Sequence, residues 1–145
     1  MTAREATAGD VPALLAIENA CFSDPWGEAA IRSHLSADYT LSLVCEGEAG
    51  VVGCLLLSCL APEGEVLSLG VLPEARRLGA GRLLLEKGIE LLKSRGACVL
   101  YLDVRVSNTP ARALYSSLGF REVGRRRDFY VAPREDALLM EREIN

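Results

Sequence analysis

Arg76-Arg77-Leu78-Gly79-Ala80-Gly81 is the stretch whose residue types and spacing most directly imply chemistry, because it joins an apolar run to a long amphipathic one. Its small residues let the backbone turn tightly and approach a ligand closely. The first amides of a helix have no partner inside the helix and point outward as donors. The helix dipole adds partial positive charge there, so the loop is an anion site suited to a pyrophosphate. A dinucleotide fingerprint would need a third glycine where Leu84 stands. A nucleoside-triphosphate loop would need Gly-Lys-Ser/Thr, which the chain lacks. Two glycines also occur in strand-to-helix turns that bind nothing, so the surrounding elements decide what the loop means.

Those elements fit into one domain covering residues 1–145, long enough for a single substantial core. Half the residues are apolar and a quarter charged, as in an ordinary soluble globular protein. A net charge of −4 gives no basis for nucleic-acid affinity, which a basic face dominates. Five cysteines without CxxC spacing and the single His34 form no recognisable metal pattern, so reduced thiols in a core are expected. The N-terminal stretch carries Glu5 and Asp10 and no apolar run, and no segment approaches the length of a bilayer span. A cytoplasmic protein that touches no membrane and holds no metal is the expectation.

Thr2 to Glu5 reads as a short strand. A helix follows with Asp10 as N-cap, Pro12 in its first turn, and Val11, Leu14, Leu15 and Phe22 on one face. Ser23 to Gly27 breaks it, and a second helix runs from Glu28 to about Leu35, with His34 on the surface. Tyr39–Cys45 and Val51–Leu60 form a hairpin, and Val66–Val71 is a further strand. A long helix starts near Gly79, presents Leu85, Ile89 and Leu92 to the sheet, and ends before Gly96. The apolar run Cys98–Val104 predicts a strand covered on both faces. Thr109–Leu118 is a helix capped by Ser107 or Asn108, with Ala111, Leu114, Tyr115 and Leu118 as its stripe. Arg121–Val131 and Ala137–Glu143 close the chain. The order β-α-α-β-β-β-α-β-α-β-β predicts a mixed α/β fold: a twisted mixed sheet of about seven strands flanked by four helices. Its site would open as a V-shaped splay between the strands ending near Val71 and Val104.

Three blocks then stand in order: Cys21-Phe22-Ser23-Asp24-Pro25-Trp26, the loop at Arg76 to Gly81, and Leu102-Asp103-Val104-Arg105-Val106-Ser107-Asn108 with Ala113 to Phe120 behind it. Together with the tail Glu135 to Met140 they resemble the RimI branch of the GNAT family of N-acetyltransferases, over nearly the whole chain. Those enzymes acetylate the N-terminal alanine of ribosomal protein S18, and the resemblance implies that activity, that acceptor and acetyl-CoA as cosubstrate. It further implies that Leu69, Gly70 and Val71 offer backbone groups to the pantetheine arm and thioester. Arg76, Arg77, Leu78, Gly79, Ala80, Gly81 and Arg82 would cradle the pyrophosphate, and Asn108 would bond the cofactor while also capping its helix. Where the family has a glutamate as base this chain has Asp103, one methylene shorter. Tyr115 matches the family's acid. Trp26 and Tyr130 are expected to contact the acceptor peptide, although Phe129 stands where the family usually has a first tyrosine.

An α-amino group ionises near 7.7–8.0, so near-neutral pH already leaves part of it neutral, and a water relay from the shorter Asp103 could suffice as base. Asp103 paired with Arg105 or another cation, and Tyr115 as a core aromatic, are the competing structural readings. No cysteine stands in a catalytic position, which favours direct attack in a ternary complex. The alternatives are a lysine, polyamine or small-amine acetyltransferase of the same fold, and a non-catalytic acetyl-CoA-binding module. Arg125-Arg126-Arg127 reads as a solvated strand end. Oligomeric state has no signature in the sequence.

Overall fold

A seven-stranded sheet in the order β1-β2-β3-β4-β5-β7-β6 organises the chain, and the computed structural model describes residues 1–145. Its elements are β1 (Thr2–Glu5), α1 (Val11–Cys21), α2 (Glu28–Ser36), β2 (Thr40–Gly47), β3 (Gly50–Leu60), β4 (Glu63–Val71), α3 (Ala80–Ser94), β5 (Val99–Arg105), α4 (Thr109–Ser117), β6 (Arg121–Val131) and β7 (Arg134–Glu143). All neighbours pair antiparallel except β4 and β5, which run parallel. The predicted mixed sheet and four helices are all present. No helix is long and apolar enough to cross a membrane.

Strand alternation supplies two cores. Leu41, Leu43, Cys45, Leu55 and Leu57 point to the face covered by α3, while Val44, Cys54 and Leu56 point to α1 and α2. The α3 face holds the larger cluster and also takes Leu100, Leu102 and Val104 of β5. The opposite residues of β5, Val99, Tyr101, Asp103 and Arg105, are only half-buried. The strand is therefore covered on one face, not both as its apolar run implied, because α1 and α2 pack on β2, β3 and β4.

Two irregularities in β4 shape the site. Leu56 pairs with Ser68 but Leu57 pairs with Val66, which leaves Leu67 as an extra, bulged residue. Gly64 and Val66 consequently face α3, whereas Ser68 and Gly70 face α1. A regular strand would put all four on one side. Parallel pairing with β5 then ends after Glu65 and Tyr101. Beyond that point the strands diverge, so the expected splay opens well below Val71 and Val104.

Other departures have local causes. Asp10 does not cap α1 with its side chain. It accepts the Thr7 amide at 2.8 Å and two bonds from Arg4, closing a capping box on the preceding turn. The buried stripe of α1 is Val11, Leu14, Ile17 and Glu18; Leu15 is only partly covered and Phe22 lies beyond the helix. His34 is buried rather than on the surface, with Nε2 bonded to the Leu41 carbonyl at 3.2 Å.

Candidate active site

The Arg76–Arg82 segment reaches α3 through a backbone that ordinary residues disfavour. Gly79 has φ +88° at the N-cap, and Arg77, without glycine's freedom, has φ +66°. None of the amides from Arg77 to Arg82 donates to a protein acceptor; the first amide paired again is Leu83, to Gly79. Such a run of free donors at the start of a 15-residue helix fits an anion. The second glycine has another reason to be small: a Cβ on Gly81 would lie 3.0 Å from Leu114 Cδ2, so it lets α4 pack against α3. Arg82 reinforces that contact, donating to Ser117 Oγ at 2.6 Å. Arg76 turns away from the loop, its Nε on the Val71 carbonyl at 3.0 Å and its Nη2 3.8 Å from Cys21 Sγ.

The splay exposes one edge of β4. Leu72 N–H bonds Val52 O, so the alternation of the antiparallel ladder directs the N–H and C=O of Leu69 and Val71 away from β3, the Val71 C=O being taken by Arg76 Nε and Cys21 Sγ and the other three left to the gap. Gly70 turns its backbone to β3 instead. Its lack of a side chain matters because a Cβ would sit 2.9 Å from Ile17 Cγ2.

Across the gap, Asp103 lies on the face of β5 away from α3, its side chain 17% exposed, and pairs with Arg126 rather than Arg105. Glu63, Glu65, Tyr101, Asp103, Arg126 and Leu139 line a cleft of about 280 Å³. Burial there raises the Glu65 carboxyl, and the Asp103 charge adds to the effect. Arg125 pairs with Asp136, so the arginine run is exposed but two of its members are held by carboxylates. Asp136 also accepts the Asp128 amide at 2.8 Å, where φ is +50° and the β6–β7 register shifts. Beyond this bulge Phe129 is exposed and Tyr130 half-buried. Tyr130 stacks on Arg105 at 4.3 Å, and Arg105 is fixed by Glu135, which also accepts the Ser107 amide.

Tyr115 comes from the other side of the sheet. It is 6% exposed and packs edge-on against Phe120. Burial, then the nearby Tyr130, holds its phenol well above the ordinary tyrosine range. No protein group bonds this hydroxyl, and no buried side-chain oxygen lacks a partner, so the phenol oxygen keeps some contact with solvent. Asn108 caps α4 by accepting the Ala111 amide at 3.3 Å, which leaves its NH₂ group free. Cys54 is sealed in the core and its thiol is pushed up to about 12 by burial, so it is no nucleophile.

The Cys21–Trp26 segment closes over the α1 side. Ser23 Oγ donates to the Ala132 carbonyl, joining the segment to the β6–β7 turn. The Trp26 ring packs edge-on against His34 at 5.4 Å. Its amide donates to Glu18, a residue absent from the sequence reading although it lies seven residues after Val11 on the buried stripe.

A splayed mixed sheet, unpaired backbone groups on one edge of the gap and a run of free amides at a helix start beside it are features that an acyl-carrier-dependent transferase would use. The model of the Acetyltransferase (GNAT) family matches residues 11–120, and the chain belongs to that family. It is 36% identical over 133 residues to the [ribosomal protein bS18]-alanine N-acetyltransferase of Escherichia coli K12, covering 90% of this chain and 89% of that one. It is 35% identical over 150 residues to an N-alpha-acetyltransferase of Sulfurisphaera tokodaii, covering 94% and 89%. The crystal structure of the Escherichia coli ribosomal-protein-S18-alanine N-acetyltransferase superposes with a TM-score of 0.91 at 34% identity, over 99% of this chain and 94% of that chain.

Proposed function

We propose that this chain transfers the acetyl group of acetyl-CoA to a protein N-terminal α-amino group, that of the N-terminal alanine of ribosomal protein S18. Near-complete coverage of a relative with that activity supports the acceptor. One observation carries the chemistry. Asp103 stands on the face of β5 away from α3, just beyond the point where β4 and β5 part, while Tyr115 belongs to the cluster on the α3 face.

That placement separates the two proton transfers. The thioester enters along β4 from the α3–α4 side, its phosphates on the free amides of Arg77 to Arg82 and its arm on Leu69 and Val71. Gly70 keeps the strand close to α1, and the Asn108 amide group bonds the arm. An amide N–H of β4 faces the oxygen on which charge develops. The α-amine arrives from the Asp103 side, between Trp26's segment and Tyr130. Its proton passes to Asp103 directly or through one water, the N–C bond forms, and the C–S bond breaks. Tyr115, kept protonated by burial, then supplies the departing thiolate with a proton.

Thiol release from acetyl-CoA with a peptide beginning Ala-Arg tests this reading. Turnover should vanish when the peptide's N-terminus is blocked and be far weaker with free lysine. Equal turnover with the blocked peptide would overturn the α-amine assignment. Binding without any turnover would leave a non-catalytic module.

A further inference from the structure

Glu18 is 1% exposed, and no arginine, lysine or histidine lies within ion-pair distance. One oxygen accepts the Trp26 amide at 3.0 Å and the other accepts Ser68 Oγ at 2.6 Å. A buried carboxyl group without a cation is expensive, so packing or stability does not explain it. What it does is present an acceptor at each end, toward two donors on different elements. An amide of the same shape would keep its oxygen on the Trp26 amide and turn its NH₂ group to Ser68 Oγ, which as a hydroxyl also accepts, so only loss of the polar end, as in Glu18→Leu, breaks both bonds.

Both donors sit where the site is shaped. Ser68 directly follows the bulged Leu67 and reaches α1 only because the bulge reverses the facing of β4. Trp26 ends the segment that Ser23 ties to the β6–β7 turn. We propose that Glu18 is the positioning residue of the acceptor side: through Trp26 N–H and Ser68 Oγ it holds the wall of the acceptor cleft in register with the thioester-binding edge of β4. This rests on the acetyl-transfer reading for its kinetic consequence, but its structural consequence stands independently.

Trp26 is the only tryptophan in the chain, so its fluorescence reports that wall alone. In Glu18→Leu, Trp26 emission should shift to the red and acrylamide quenching should increase. The KM for an Ala-Arg peptide should rise about tenfold, the size of one or two lost hydrogen bonds, with KM for acetyl-CoA unchanged and kcat within about threefold. Ser68→Ala should move the same quantities less, and the double variant should fall short of the sum. Unchanged Trp26 emission and quenching in Ser68→Ala and Glu18→Leu would overturn the proposal, as would equal rises in both KM values. Should Glu18→Leu fail to fold, Ser68→Ala decides alone. If the parent enzyme transfers no acetyl group, the functional reading falls, while fluorescence still decides the role of Glu18.

Discussion

Asp103 Oδ1 lies 2.9 Å from Arg126 Nε although their strands, β5 and β6, are separated by β7. Arg126, in register with Ala137, reaches across that strand to a carboxylate in register with Leu139. The pair orients a side chain one methylene shorter than the family's glutamate and keeps it beside the gap. A carboxylate tied in this way still accepts a bond from an approaching amine or water.

Asp103→Asn should lower kcat/KM at pH 7 by about 10²–10⁴, the range of a lost general base. Activity should partly recover toward pH 9, because an α-amine ionising near 7.7–8.0 is by then mostly neutral without help. The pH–rate profile checks this, and a profile unchanged in shape and height would remove Asp103 from proton transfer.

Tyr115→Phe keeps the ring against Phe120 and deletes only the hydroxyl. Because that hydroxyl has no protein partner, thermal stability should change little while kcat falls by about 10²-fold or more. Normal turnover by a well-folded variant would refute the acid role.

The two glycines of the loop should fail differently. Gly79→Ala forces a side chain onto φ +88°, at about 1–2 kcal/mol, and should weaken coenzyme A binding in calorimetry. Gly81→Ala sets a Cβ 3.0 Å from Leu114 Cδ2, so the contact between α3 and α4 must give by a few tenths of an ångström. Adding Leu114→Ala should restore the melting temperature of Gly81→Ala and leave Gly79→Ala unrelieved.

His34 gives a pH dependence of known sign. Burial holds its folded pKa below the ordinary value, with the Leu41 carbonyl opposing in part. The unfolded imidazole takes up a proton as pH falls below about 6.5, while the buried one resists. Stability is therefore full above that pH and declines below it, by at most about 1.4 kcal/mol per pH unit. Melting temperatures between pH 7 and 5.5 should fall more steeply for the parent than for His34→Gln.

Much of the site was legible because it is local in sequence. A strand, a glycine loop and an amphipathic helix in succession mark a helix start whose first amides are free, and Asn108-Thr109-Pro110 marks the start of another helix. The stripe that would have exposed Glu18 was also present, at the spacing of Val11 and Leu14, but a charged residue there reads as surface until its donors are known. His34 escaped for the same reason, since its burial depends on Trp26 and Leu41. β5 misled because a continuous apolar run does not reveal that no helix covers its second face.

The sequence by itself determined the order of elements, the loop that begins α3 and the family blocks, because backbone preference and hydrophobic period act over a few residues. Only the tertiary structure decided that Asp103 meets Arg126, that Gly81 serves Leu114, and that the bulge at Leu67 brings Ser68 to Glu18. Those contacts depend on strand order and on a one-residue change of register, which reverses the facing of side chains without leaving a mark in local sequence.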